Sequence, residues 1–248
     1  HVLDLAAPQL VVEDVRAAMG PVAAAFWGHP SRSLTVVGVT GTSGKTTMTH
    51  LLASVFATAG RPSAVVGTLS GARTTPEGPE LQALLARHRD EGVAVVVMEV
   101  SSHGLELHRV DATRFAAAVF TNLSQDHLDF HPTMEDYFEA KSRLFTPAFT
   151  GQAVVCADDS WGRRLLATLE SRGELDLHPY ALADAGEVEL GPAGASFRWR
   201  GERVERWTVH RCLPPSQPGS GHDVSRGAGG RRDGFEDLPS NASLTSSG

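Results

Sequence analysis

Gly41-Thr42-Ser43-Gly44-Lys45-Thr46-Thr47 brings glycines, hydroxyls and a lysine into one short run. Glycines let successive backbone N–H groups close on phosphate oxygens, and a helix opening directly after them adds partial positive charge. Lys45 is then placed to reach the terminal phosphates of a nucleotide, and Thr46 to ligate magnesium. The run is more compact than G-x-x-x-x-G-K-[ST], because Val39 stands where the first glycine would fall. A Gly/Ser turn with an incidental lysine would explain the glycines but not Lys-Thr-Thr at a helix start. The run therefore reads as a shortened phosphate-binding loop.

Three further clusters carry polar chemistry. Thr74-Thr75-Pro76 offers two adjacent hydroxyls suited to an anionic or sugar-phosphate ligand, although a capped turn accounts for it equally well. Glu99-Val100-Ser101-Ser102-His103-Gly104 follows an apolar run, so a carboxylate, hydroxyls and an imidazole emerge together. Glu99 suits Mg²⁺, which is bound through carboxylate, water and phosphate oxygens; the alternative is a solvated glutamate in a strand-terminal turn. The third cluster, Thr121-Asn122-Leu123-Ser124-Gln125-Asp126-His127-Leu128-Asp129-Phe130-His131, again follows an apolar run. Beyond it, Lys141 lies between Ala140 and Leu144-Phe145. Its apolar neighbours suggest partial burial, but the residues alone favour the plainer reading, a surface lysine on an amphipathic helix.

These clusters need a frame that gathers them. Strand-like runs at 34–39, 64–66, 93–97, 116–120 and 153–156 alternate with helical patterns at 45–59, 77–90, 134–145 and 160–170. That alternation predicts an α/β fold, a mostly parallel sheet flanked by helices, which binds ligands at the carboxyl ends of its strands. Residues 197–200 and 204–209 read as a terminal β-hairpin. After residue 211, Pro, Gly and Ser dominate with little apolar periodicity, which predicts disorder over 211–248.

Composition narrows the partners. A net charge of −7 argues against a general nucleic-acid surface, so phosphate must be held locally. No apolar stretch approaches the ~20 residues that span a bilayer. The expectation is a cytoplasmic protein without membrane or nucleic-acid partners. Cys156, in an apolar run, and Cys212, in a Pro-rich one, form neither a disulfide framework nor a thiolate metal site.

Together with Arg109-Val110, these motifs stand in the order found in the Mur ligases and resemble most closely the MurE branch, the UDP-N-acetylmuramoyl-tripeptide synthetases. The resemblance extends over about residues 10–209. It implies an ATP-dependent ligase that adds the third amino acid to UDP-MurNAc-L-Ala-D-Glu through an acyl phosphate, with lysine or meso-diaminopimelate as the amino acid. It implies that Gly41, Thr42, Ser43, Gly44, Lys45, Thr46, Thr47 and Asn122 bind ATP, and that Thr46, Glu99 and His127 bind Mg²⁺. Thr74, Thr75, Ser101 and Arg109 would hold the UDP-linked substrate. Lys45, Glu99, His127 and Lys141 would carry the chemistry, with Lys141 carbamylated so that it bridges to a magnesium ion; this replaces the surface reading of that lysine. Leu107 departs from the family, where a polar substrate contact is common at that place.

The resemblance also divides the chain. Residues 1–33 match the end of an N-terminal domain for the UDP substrate, 34–210 match the central ATPase domain, and no C-terminal ligase domain follows, so the expectation is an incomplete monomeric ligase. Two other readings compete: a non-catalytic module that binds a nucleotide or UDP-sugar-peptide, and an unrelated phosphate-loop kinase acting on a hydroxyl.

Overall fold

The computed structural model describes residues 9, 11–126, 130–191, 194–199 and 202–207. The chain divides into two units, 1–212 and 213–248. The expected disorder over 211–248 lies outside the described residues, and so does Cys212.

The main sheet contains β1 (Thr35–Thr40), β2 (Ser63–Val66), β3 (Val95–Glu99), β4 (Ala117–Phe120), β5 (Gln152–Cys156) and β6 (Asp176–Tyr180). All pairings are parallel, in the order β2-β3-β1-β4-β5-β6. The chain leaves β1 for one edge, returns through β3, then crosses to β4 on the other side. The change of direction falls at β1, where an open parallel sheet forms a crevice at its carboxyl end. The phosphate-loop sequence begins there, one residue after Thr40.

Strand side chains alternate between the two faces. Val36, Val96, Met98, Ala118 and Phe120 enter the larger core. They meet Leu81 and Leu85 of α3 (Gly78–Asp90), Leu105 of α4 (Ser102–Glu106), Tyr137 and Phe138 of α5 (Met134–Ser142), and Leu165 and Leu169 of α6 (Ser160–Arg172). Val37, Val39, Val95, Val97 and Val119 face the other way, against Met48, Leu52 and Phe56 of α2 (Lys45–Thr58). Each such side chain contributes ~1.5–3 kcal/mol when fully buried, so these contacts outweigh the polar ones in holding the sheet.

Before the sheet, α1 (Val15–Phe26) starts at Asp14, whose carboxylate accepts the N–H groups of Arg16 and Ala17. It packs against α3. A Cβ on Gly78 of α3 would come within 3.2 Å of the Gly20 Cα, and one on Gly20 would come within 2.7 Å of the Asp111 carbonyl oxygen, so glycine is needed at both places. α1 therefore packs into the same unit as the sheet.

Several elements differ from the sequence reading, among them α4, which it does not include. The terminal hairpin is part of a three-stranded antiparallel sheet, β7 (Ala185–Gly191), β8 (Gly194–Trp199) and β9 (Glu202–Trp207). β6 was not anticipated: Asp176-Leu177-His178-Pro179-Tyr180 is polar and carries a proline. That proline is tolerated because β6 is an edge strand. The helix expected over 134–145 ends at Ser142, and Leu144 and Phe145 close it with turn bonds to Lys141 and Ser142.

Candidate active site

The phosphate loop is shaped by the segment that follows β4. Gly41 has φ +146°, and a Cβ there would run into Thr121 Oγ1. The Thr42 N–H donates to the Asn122 carbonyl at 2.9 Å and the Ser43 N–H to Asn122 Oδ1 at 3.0 Å. Asn122 Nδ2 and Thr121 Oγ1 donate back to the Ser43 carbonyl, at 3.1 and 2.8 Å. The Thr42 hydroxyl accepts the Ser124 N–H at 3.0 Å. Asn122, expected beside the nucleotide, thus spends its side-chain amide on holding the loop.

Gly44 stands at the N-cap of α2 in the left-handed region, φ +82°, and no side chain caps the helix. The first amides of a helix have no partner within it, so this end is open to an anion. Lys45 Nζ folds back onto the carbonyls of Gly41 and Thr42, at 2.9 and 2.8 Å. Burial lowers its pKa, against the pull of Glu99 and Asp126. Thr47, the last residue of the run, is exposed on the first turn of α2.

Glu99, at the end of β3, is buried, with 1% of its surface exposed. Its Oε1 accepts the Thr46 hydroxyl at 3.1 Å and the Thr68 N–H at 2.9 Å, and its Oε2 accepts the Thr68 hydroxyl at 3.3 Å. A Cβ at Gly67 would run into the same carboxylate. Thr46 and Glu99 make a pair of hard oxygen donors beside the loop, a set that fits Mg²⁺.

Next to them lies a cavity of ≈ 360 Å³, bordered by Lys45, Thr68, Thr74, Ser101, Arg109 and Lys141 among others. The expected substrate residues meet here, and they are already engaged with one another. The Thr75 hydroxyl donates to the Glu99 carbonyl at 3.0 Å and lies 3.1 Å from Ser101 Oγ. Ser101 also caps α4 through the Gly104 N–H. Arg109 pairs with Glu77 at 3.0 Å and donates to the Thr75 carbonyl at 3.3 Å.

Lys141 is buried, with 1% exposed, which overturns the reading of a surface lysine and goes further than the partial burial its apolar neighbours suggest. Its Nζ donates to the Gly41 carbonyl at 2.9 Å, sharing that oxygen with Lys45, and lies 4.5 Å from the centre of the Tyr137 ring. Burial, then the neighbouring Lys45 charge, push its pKa well below the usual lysine range. The Tyr137 hydroxyl sits 3.3 Å from Thr42 Oγ1. His127 lies outside the described residues; among those described, His103 stacks on Phe130 with ring centres 3.8 Å apart.

Thr68 and Tyr137 escaped the sequence reading. Thr68 stands in Gly67-Thr68-Leu69-Ser70-Gly71, a Gly/Ser-type turn with no charged or imidazole-bearing residue to mark it as chemical. Tyr137 precedes Lys141 by one helical turn, a spacing that could have signalled their contact.

The family model described as "Mur ligase middle domain" matches residues 39–200. The chain belongs to the Mur ligase family. Within it, a Corynebacterium glutamicum relative named UDP-N-acetylmuramoyl-L-alanyl-D-glutamate--2,6-diaminopimelate ligase is 45% identical over 222 residues, covering 84% of this chain and 43% of the relative. A Streptomyces coelicolor relative of the same name is 46% identical over 215 residues, with 80% and 42% covered. A solved structure of a ligase so named superposes with a TM-score of 0.69 at 31% identity, over 79% of this chain and 43% of that one. This Mur ligase chain thus spans less than half the length of those relatives. No helix among its described residues is long and apolar enough to cross a membrane.

Proposed function

We propose that this chain supplies the ATP-handling domain of a cytoplasmic, monomeric ligase that adds diaminopimelate to UDP-MurNAc-L-Ala-D-Glu. One observation carries the reading: Lys45, the Thr46–Glu99 pair and Lys141 converge on the Gly41 loop at the mouth of a polar cavity. A nucleoside triphosphate at the loop and a carboxylate-bearing substrate in the cavity would be neighbours. The names of the 45–46% identical relatives support the UDP-linked substrate and the choice of diaminopimelate over lysine.

In the proposed reaction the substrate carboxylate attacks the γ-phosphorus of ATP, ADP leaves, and the amine of the incoming amino acid then displaces phosphate from the acyl phosphate. Lys45 exchanges its loop carbonyls for β- and γ-phosphate oxygens, where its charge offsets the charge that develops in transfer. The free amides at the start of α2 orient the phosphate chain. Thr46 and Glu99 would hold Mg²⁺, which when bound neutralises phosphate charge and polarises the P–O bond. Arg109 and Thr74 anchor the UDP-linked substrate, with Thr75 and Ser101 setting the wall behind them. Lys141, buried and readily neutral, is suited to take up carbon dioxide as a carbamate, since only the neutral amine is nucleophilic. Residues 1–33 then close an N-terminal substrate domain, and 34–210 form the central domain.

The test is phosphate release from Mg-ATP with UDP-MurNAc-L-Ala-D-Glu, adding diaminopimelate or lysine in turn, alongside direct titration with ADP. Nucleotide binding that Lys45→Ala weakens, with little or no diaminopimelate-dependent release from this chain by itself, is the expected result; robust release that depends on the amino acid would overturn the reading of an incomplete ligase. Phosphoryl transfer to a hydroxyl acceptor, indifferent to the UDP substrate, would sink the reading in favour of a kinase.

A further inference from the structure

Glu99 reaches the magnesium-binding position only if its carboxylate is aimed across the crevice towards Thr46, and β3 alone does not determine that. Both of its oxygens are held by one residue from another strand's loop. Thr68, just past β2, donates its N–H to Oε1 at 2.9 Å and its hydroxyl to Oε2 at 3.3 Å. Gly67 lets this happen, because any side chain there would strike the carboxylate. Two donors from one residue to the two oxygens of one carboxylate fix its rotation as well as its position.

The hydroxyl proton also sets the direction of the next bond. A carboxylate can only accept, so the single Thr68 hydroxyl proton goes to Glu99. Thr74 Oγ1, 3.1 Å from Thr68 Oγ1, must then be the donor of that contact. A directed chain Thr74→Thr68→Glu99 therefore runs from the substrate cavity to the nucleotide side, and it leaves the Thr74 lone pairs for N–H or O–H donors of a ligand. Thr68 borders that same cavity.

We propose that Thr68 is the positioning residue that aims Glu99 at the metal and ties that carboxylate to the substrate-binding Thr74. The inference rests on the reading above in which Glu99 holds Mg²⁺. Its test is ADP titration by calorimetry, once in EDTA and once in excess Mg²⁺, so that the gain in affinity from the metal is read separately from loop binding. For Thr68→Val, which keeps the shape and the N–H but loses the hydroxyl, the metal-dependent gain falls about tenfold while the affinity in EDTA is unchanged, as expected for one lost hydrogen bond to a charged group. Thr68→Ser restores the gain.

A valine variant that keeps the full gain, or that loses affinity equally in EDTA, overturns the proposal. Should the valine variant fail to fold, the serine variant still decides: wild-type gain supports the role, and a folded serine protein without it overturns the role. If the unmutated chain binds ADP with no metal-dependent gain, Glu99 holds no magnesium, and that reading and this inference fall together.

Discussion

The two halves of the crevice are built differently. On the nucleotide side, loop residues 41–45 are held by backbone and side-chain bonds from 121–124, while the amides at the start of α2 remain uncapped. On the cavity side, Arg109, Thr75 and Ser101 are engaged with Glu77, Glu99 and one another. An anion reaching the loop finds donors already aimed, and only Lys45 must change partners. A ligand entering the cavity must share or displace internal bonds. The first arrangement gives affinity through preorganisation; the second gives selectivity, because a poor replacement leaves buried polar groups unpaired.

This difference can be broken at its stiffest point first. Gly41→Ala places a Cβ against Thr121 Oγ1 at a positive φ, and the expected cost is about 3 kcal/mol of folding stability, read from urea denaturation. An alanine variant of unchanged stability would mean that the clamp by 121–124 is loose. Lys45→Ala should weaken ADP binding by about 2 kcal/mol, roughly thirtyfold, in direct titration. On the cavity side, Arg109→Ala should weaken binding of UDP-MurNAc-L-Ala-D-Glu less, by roughly tenfold, because part of its charge is already spent on Glu77. A larger loss there than at Lys45 would reverse the contrast.

The smallest expected effect concerns Lys141, at the seam between the halves. Its folded pKa lies well below the ordinary 10.5. Between those two values the unfolded chain binds one proton more than the folded one, so stability rises with pH across that window. Lys141→Met should flatten the rise, seen in urea midpoints measured from about pH 7 to about pH 9 in carbon-dioxide-free buffer. It should also leave the ligand-free fold as stable or more so, since an apolar side chain of similar length replaces a buried amine. A variant that loses stability uniformly at all pH values would show that the bond to Gly41 outweighs the desolvation.

Much of this was legible before any coordinates. The apolar runs of β1, β3 and β4 are continuous because both faces of a parallel sheet are covered, and they are easily read. The Gly-Lys-Thr-Thr run declared its chemistry through residue types that few other purposes require together. β6 hid because an edge strand tolerates polar residues and proline. The burial of Lys141 is only hinted at by its apolar neighbours, because helical pattern alone does not say which face meets the loop. Thr68 was invisible because a single threonine in a glycine-bearing loop has no pattern at all.

By itself the sequence determined the alternation of strands and helices, the phosphate loop, and which polar clusters end which strands, because each depends on residues adjacent along the chain. Only the tertiary structure decided that Lys45 and Lys141 share the Gly41 carbonyl, that Thr68 grips both oxygens of Glu99, and that Arg109 is paired with Glu77. Those contacts join residues from separate crossovers, and their distances follow from strand order and packing, which local spacing does not encode.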